Sequence, residues 1–460
     1  VEPDFYDIRI VNARASSIVL DNDEIKETSN SFITGASIRA LVGGTWGLVT
    51  TENLDEIREA CKQAARLAQA AGERSTRDRI ELAPIKKPVV KDLPEIKENP
   101  ENIDIEEKLQ LVRDISKSAQ KPRITSVHTV YSESEVSVEY RNSDGVEAGY
   151  TLPRIGFSIT AVAQENGNYQ AARESCFAIS GFELFKRKDP LAIASKTADT
   201  ATDLLRAKSV WGGVMPVILD PELAGVFIHE AVGHAAEADH VLEGNSVFEG
   251  RLNTTIGSPL VTVHDDPTLH EYGYYPFDDE GAEPKKTVVI ENGVLKNYLH
   301  NRETAGRLAE LRPADFQIAK QAGRLDGVSC NARAQGYSRP IVRMSNTYID
   351  NGSSTFEEML EEVKDGVYLI GSRGGQVDPG DGIFQFNAER GYLIENHELK
   401  ALIKDVSLSG NILEILSEIT AVGSDLKMHP GQCGKAGQTV PVSDGSPHIL
   451  VKKALVGGSG

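Results

Sequence analysis

Apolar and polar residues alternate from Tyr6 to Val11 and again from Ser17 to Leu20, the period-two signature of half-buried strands. A third strand is predicted over 35–42, ending at the turn Gly43-Gly44. The period then changes. Ile57, Ala60, Cys61, Ala64, Leu67 and Ala68 fall on one face of a helix running from Leu54 to Ala70. Residues 83–102 carry four of the chain's twenty prolines among many Lys and Glu, which predicts a solvated connection. Helical spacing returns over 103–119. A strand meander follows over 124–179, with turns at Asn142-Ser-Asp-Gly145 and Asn166-Gly167, then a helix over 191–207. Trp211-Gly212-Gly213 marks the predicted boundary between two domains, 1–210 and 211–460.

Beyond that boundary the pattern becomes short. Val214 to Leu219 reads as a strand, and Asp220-Pro221 sets a capping side chain before a helix-starting proline. The helix they open is predicted to reach Ala238. Brief β runs separated by glycine-rich loops follow at 260–263, 287–290, 294–299, 367–370 and 402–409.

Size and charge narrow the function classes. At 460 residues the chain exceeds what one core supports, in keeping with at least two domains. A formal net charge of −19 repels phosphate backbones, and the only basic clusters are short pairs such as Lys86-Lys87 and Lys285-Lys286, which argues against nucleic-acid binding. No apolar run approaches the ~20 residues that cross a bilayer. The N-terminal residues lack the basic-then-apolar pattern of a secretory signal. Cys61, Cys176, Cys330 and Cys433 are too scattered for a disulfide scaffold, so free thiols in a reducing cytoplasm are expected.

The candidate chemistry lies on the predicted helix, at His229-Glu-Ala-Val-Gly-His234. A catalytic zinc takes about three protein ligands and leaves a position open, and a carboxylate beside it serves as base. The familiar helical arrangement spaces its histidines by four. Here they are five apart, which puts them ~140° from each other on a regular α-helix. They can share a metal only if the helix is widened, as by a π turn, or kinked, and Gly233 is a residue that permits such distortion. Histidines also pack and cap without binding anything, but Glu230 on an otherwise apolar helix needs a partner or a function. His240, six residues after His234, competes as third ligand on the spacing of another zinc-protease pattern, whose other features this chain lacks.

The segment resembles the HExxxH signature of the TldD/PmbA peptidases, also called modulators of DNA gyrase. The resemblance continues through Asn245-Ser-Val-Phe248, Tyr275-Pro-Phe-Asp-Asp-Glu-Gly281, Met344-Ser-Asn-Thr-Tyr348, Gly374-Gly-Gln-Val-Asp378 and Cys433-Gly-Lys-Ala-Gly-Gln438, and so covers nearly the whole chain. It implies a zinc peptidase of the motif-bearing, TldD type, with His229, His234 and Cys433 as ligands and Glu230 as base. It further implies an enclosed dimer, formed with a motif-lacking TldE-like relative or with a second copy, that acts on short or unfolded peptides. The expected class is α+β: an N-terminal α/β domain with a mostly antiparallel sheet, and a C-terminal β-rich domain carrying one metal-binding helix.

Other segments stay open. Gly374, Gly375, Gln376, Val377 and Asp378, with the following 383–386, suit a sheet edge that could bind peptide by strand addition, although an ordinary edge gives the same pattern. Gly371-Ser-Arg-Gly-Gly375 lacks the Lys and helix of a phosphate loop. The acids Asp278, Asp279 and Glu280 read by composition as a solvated loop and by resemblance as part of the cleft. Cys330 and His300 carry no assignment. The rival readings are a non-catalytic regulatory partner and a zinc amidase of non-peptide substrates.

Overall fold

The computed structural model describes residues 2–74, 79–91, 93–311, 314, 317 and 329–458. Its first strands are far longer than their apolar stretches. β1 (Phe5–Asp21) and β2 (Glu24–Val42) form one continuous hairpin, closed by Asn22 and Asp23 at positive φ. The two predicted pieces of β1 merge because it pairs on both sides, with β2 and with β4 (Ile124–Asn142). Those ladders carry residues 12–16, which hold no large apolar side chain to mark a strand. β3 (Thr45–Thr51), β5 (Glu147–Glu165) and β6 (Asn168–Ala178) complete a six-stranded sheet in the order β3-β2-β1-β4-β5-β6, antiparallel throughout. The two-residue turn Asn166-Gly167 has φ of 50° and 81°, the left-handed pair a tight hairpin needs.

Helices α1 (Ile57–Gly72), α2 (Ile105–Ser118) and α3 (Pro190–Leu204) lie where predicted. α1 buries Ala60 and Ala64 against Ile38 and Ala40. α2 and α3 bury Ile115, Ala194 and Ala198 against Phe157 and Ile159.

Two further sheets occupy the β-rich C-terminal region. One has the order β10 (Val294–Leu295), β9 (Thr287–Glu291), β8 (Val263–Asp265), β13 (Asn346–Ile349), β20 (Gln438–Ser446) and β19 (Lys427–Lys435). The other has the order β14 (Asp365–Asp378), β7 (Gly213–Leu219), β21 (Ile449–Gly457), β17 (Ser407–Asn411), β15 (Ile383–Glu395) and β16 (Glu398–Ile403), with β18 (Ile419–Val422) on β21. β14 turns back on β15 as well. A two-stranded ribbon, β11 (Ala332–Arg333) with β12 (Ile341–Val342), stands beside them. The predicted run at 260–263 is displaced to a three-residue strand at 263–265, sharing only Val263, and that at 294–299 contracts to 294–295. The run at 402–409 is two strands, broken where Asp405 takes a positive φ.

Between these sheets runs the motif helix, starting with α4 (Pro221–Ile228). Asp220 caps it, accepting from the Leu223 amide at 2.9 Å and from the Gly371 amide at 3.0 Å. Leu223, Ala224, Phe227 and Ile228 are buried on all sides, packing with Phe384, Phe386, Val440 and Val442 from both sheets. Beyond Glu222 in its first turn the helix is apolar all round, and such a helix belongs inside.

Candidate metal centre

α4 does not continue as an α-helix to Ala238. Residues His229–Gly233 form a π turn, in which the His234 amide donates to the His229 carbonyl, and α geometry resumes only for His234–Ala236. The wider turn brings residue i+5 round above residue i, so two histidines that a regular helix would splay now face the same space. Their rings lie 5.2 Å apart, nearly perpendicular. Gly233 is itself helical (φ −58°), so its role is not torsional freedom. A Cβ there would sit 1.8 Å from Met344 Sδ, and glycine is what lets the π turn lie against β13's approach.

At Glu237 the chain turns extended and ends the helix. That break sends the fully buried Glu237 carboxylate back to His234, whose Nδ1 lies 2.9 Å from Oε2. Lys435 donates to the same oxygen at 3.0 Å and to Asp239 at 2.7 and 2.8 Å. His229 has its own acid: Nδ1 is 2.7 Å from Asp444 Oδ1 on β20. The two atoms are too far off line for a well-formed hydrogen bond, so that contact is chiefly electrostatic. With both Nδ1 atoms turned to carboxylates, both Nε2 atoms are free to face Cys433. Its Sγ lies 3.5 Å from His234 Nε2.

Cys433 lies in strand β19, paired with Val440, not in the loop its flanking glycines suggest. β20 supplies the pairing that makes Gly431 to Gly434 extended. Fully buried Arg343 fixes the hairpin by donating to the carbonyls of Cys433 and, at 3.2 Å, Gln438.

One ligand atom from each of His229, His234 and Cys433 lies within 4.8 Å of the others, at 4%, 9% and 3% residue exposure. Tetrahedral zinc with bonds of ~2.0–2.3 Å separates its ligands by roughly 3.5 Å, so the trio fits such an ion with little movement. The electrostatics agree. Burial alone would push the Cys433 thiol up, but His229 and His234 outweigh it and bring it down to about 5. Burial works against a charged imidazole too, yet Asp444 and Cys433 hold His229 well above its usual value, and Glu237 with Cys433 takes His234 to about 10. Soft thiolate, two imidazoles and an acid behind each imidazole are a zinc-type donor set with its supporting shell.

Glu230 stands beside the trio. Its Oε2 is 3.8 Å from His234 Nε2 and its side chain is 27% exposed, so it borders the donors from the open side. His240 is turned elsewhere: Nε2 is 3.6 Å from Glu237 Oε2, in a second cluster with Asp239 that Lys435 already neutralises. Gly375 to Asp378 pair with β15 on one side only, Gly374 lies in the bulge before them, and all five but Val377 are exposed, so this stretch is a sheet edge. Residues 383–386 are not an edge, because β17 pairs with their other side.

The acids at 278–280 are neither solvated nor beside the trio. Asp279 pairs with Arg9 at 2.7 Å and Glu280 with Arg39 at 2.9 Å, joining the C-terminal region to the N-terminal sheet. Burial and Glu280 push Asp278 up to about 8, and it accepts from the Glu280, Ala282 and Ala332 amides. Cys330, buried at φ +65°, lets Tyr275 donate to its carbonyl at 2.6 Å. His300 is buried, and that burial takes it down to about 3. Cys61 and Cys176 are half-buried free thiols in core clusters. Sequence reading missed Glu237, Asp444, Lys435 and Arg343. Only Glu237, three residues after His234, carried a readable signal.

Comparison with known proteins follows the whole chain. Residues 6–68, 98–205 and 212–458 match domain 1, the central domain and the C-terminal domain of the PmbA/TldA metallopeptidases. A metalloprotease of Archaeoglobus fulgidus is 41% identical, covering 99% of this chain and 100% of its own. A zinc metalloprotease TldD homolog of Saccharolobus solfataricus is 31% identical over 99% and 96%. Among solved structures, a Thermotoga maritima protein assigned as a candidate modulator of a DNA gyrase superposes with a TM-score of 0.79 at 23% identity, covering 98% and 96%. TldE from Thermococcus kodakarensis superposes at 0.75 with 20% identity over 99% and 97%, a likeness of fold.

Proposed function

Since the chain belongs to the PmbA/TldD metallopeptidase family, we propose that it is a zinc peptidase hydrolysing short or unfolded peptides, with His229, His234 and Cys433 as ligands and Glu230 as general base. The observation that carries this reading is the buried His–His–Cys trio, each imidazole backed by a carboxylate, with one further acid on its open side. Zinc bound there would supply a Lewis acid for the scissile carbonyl and lower the pKa of water toward ~7. The chain's own residues do the rest. Glu237 and Asp444 fix the ring orientations, and the Cys433 carbonyl is held by Arg343. Glu230, next to a ligand yet outside the trio, takes the proton of the attacking water and passes it to the leaving amine.

The exposed Gly374–Asp378 edge supports binding of an extended peptide through its backbone, which tolerates many side chains. A TldE-like chain or a second copy would enclose the site. No helix among the described residues is long and apolar enough to cross a membrane, and the four cysteines are free, in keeping with a cytoplasmic setting. Units of 1–210 and 211–460 remain the proposed division.

Metal analysis together with cleavage of a peptide library tests the reading. About one zinc per chain is expected, lost with activity on chelation and sharply reduced in Cys433→Ala but not in Cys61→Ala or Cys176→Ala. Metal-independent cleavage, or full zinc content in Cys433→Ala, would overturn it.

A further inference from the structure

Across the β19–β20 hairpin from Cys433 lies a cavity of about 230 Å³. Gln432, next to Cys433 in the strand, lines it, but none of His229, Glu230, His234 and Cys433 does, so it is separate from the metal centre. Its other wall is the N-terminal sheet, and three arginines project into the space: Arg9, Arg154 and Arg333. Among the described residues only Arg9 is paired with an acid, Asp279 at 2.7 Å.

The other two guanidiniums are positioned without being neutralised. Arg154 donates to the Tyr272 and Tyr274 carbonyls, both at 3.1 Å, and packs over the Tyr272 ring. Arg333, 6% exposed, donates to the Met344 carbonyl at 2.7 Å and lies over the Tyr275 ring. Neither meets a carboxylate among the described residues. Burial holds Arg154 down to about 10, and the like charge of Arg333 adds to that effect. The Tyr150 hydroxyl belongs to the same group and has no hydrogen-bond acceptor among the described residues. Of the two acids that also line the space, Asp279 is taken by Arg9 and Asp278 by backbone amides, so the two oriented guanidiniums and the phenol converge without a carboxylate of their own. Burying a charge such as that of Arg333 costs several kcal/mol unless an anion meets it, and half-buried Arg154 bears part of the same cost.

We propose that this cavity is a binding site for a carboxylate carried on a short apolar body. Guanidinium forks match a planar carboxylate. Beside polar groups such as Gln335, Gln432 and Thr439, the lining offers one apolar patch, Val11, Val136, Val138 and Phe277, and the volume, below that of ordinary ligand pockets, suits one residue-sized group. A free branched-chain acid and a peptide's C-terminal residue share this chemistry. The inference does not rest on the peptidase reading.

Calorimetry on the 460-residue, metal-loaded chain tests it. The probes are 4-methylpentanoate, 4-methylpentanamide, inorganic phosphate, and a pentapeptide ending in leucine with a free or amidated C terminus. The acid should bind saturably and raise the unfolding temperature, while the amide and phosphate should bind at least tenfold more weakly. Arg154→Gln and Arg333→Gln should each weaken the acid at least tenfold. Arg154→Lys, which keeps the charge but not the fork, should fall between. A free-acid pentapeptide binding as tightly as the small acid identifies a peptide end as the source; weaker binding identifies a free acid. Absent saturation, equal affinity for acid and amide, tighter binding of phosphate, or binding that survives both glutamine substitutions would each overturn the proposal. Survival would mean that the carboxylate sits on the metal instead.

Discussion

Replacing Glu237 with Gln removes one charge from the least accessible part of the centre while keeping its shape. Glu237 is fully buried and shared between His234 Nδ1 at 2.9 Å and Lys435 Nζ at 3.0 Å. Breaking a buried ion pair from one side typically costs ~3–5 kcal/mol. Lys435 would keep Asp239 at 2.7 and 2.8 Å, so the loss expected in urea unfolding is smaller, about 1–3 kcal/mol. The effect on the metal should be larger relative to its cause. Supporting carboxylates behind a ligand histidine are typically worth about 10–100-fold in affinity, or ~1.4–2.8 kcal/mol. Competition with a chromophoric chelator reads this directly. pH adds a second handle. Burial alone would raise the Glu237 carboxyl, but Lys435 and His234 bring it down to about 2. Its stabilisation is therefore fully present above the ordinary carboxylate range of ~4.3 and lost as pH falls toward about 2. Glu237→Gln should unfold with a shallower acid dependence across that window. A folded Glu237→Gln protein that binds zinc within twofold of wild type would refute the idea that Glu237 orients His234.

Two other outcomes follow from the same geometry. Gly233→Ala would drive a Cβ to 1.8 Å from Met344 Sδ, so it should cost about 1–3 kcal/mol of stability and loosen the π turn, with Met344→Ala restoring part of the loss; an unchanged unfolding midpoint would contradict the packing argument. Zinc added to metal-free protein at pH 7.5 should release about two to three protons, because His229 and His234 are held protonated there while Cys433 is already a thiolate, and a zinc-bound water would add up to one more; calorimetry in buffers of different ionisation heat should find this, and release near zero would contradict the charge arrangement.

Much of this protein could be read from periodicity and turn chemistry. α1, the α2 and α3 helices, the Asn166-Gly167 hairpin and the Asp220 cap are local features, and local residues encode them. The spacing of His229 and His234 demanded a widened helix, and the π turn supplies it. What escaped was set by pairing partners distant in sequence. Residues 12–16 (Asn-Ala-Arg-Ala-Ser) hold no large apolar side chain yet lie in mid-strand because β2 and β4 flank them. Cys433 is extended because β20 pairs with it, and Asp444 reaches His229 across more than two hundred residues. The acids at 278–280 looked like surface and are buried because Arg9 and Arg39 come from the other end of the chain. Single-sequence patterns hold no record of such long-range compensation.

The central claim is that Glu230 acts on protons beside a metal it does not hold. On the structure it lies 3.8 Å from the nearest donor nitrogen and faces the open side. Turnover of one defined peptide by Glu230→Gln, measured alongside zinc content, tests this most directly. The account predicts full zinc, an unchanged fold and peptide binding near wild type, with kcat lower by about 10²–10⁴-fold. A variant that loses its zinc would make Glu230 a ligand, and one that keeps its turnover would put the base elsewhere; either result contradicts the account.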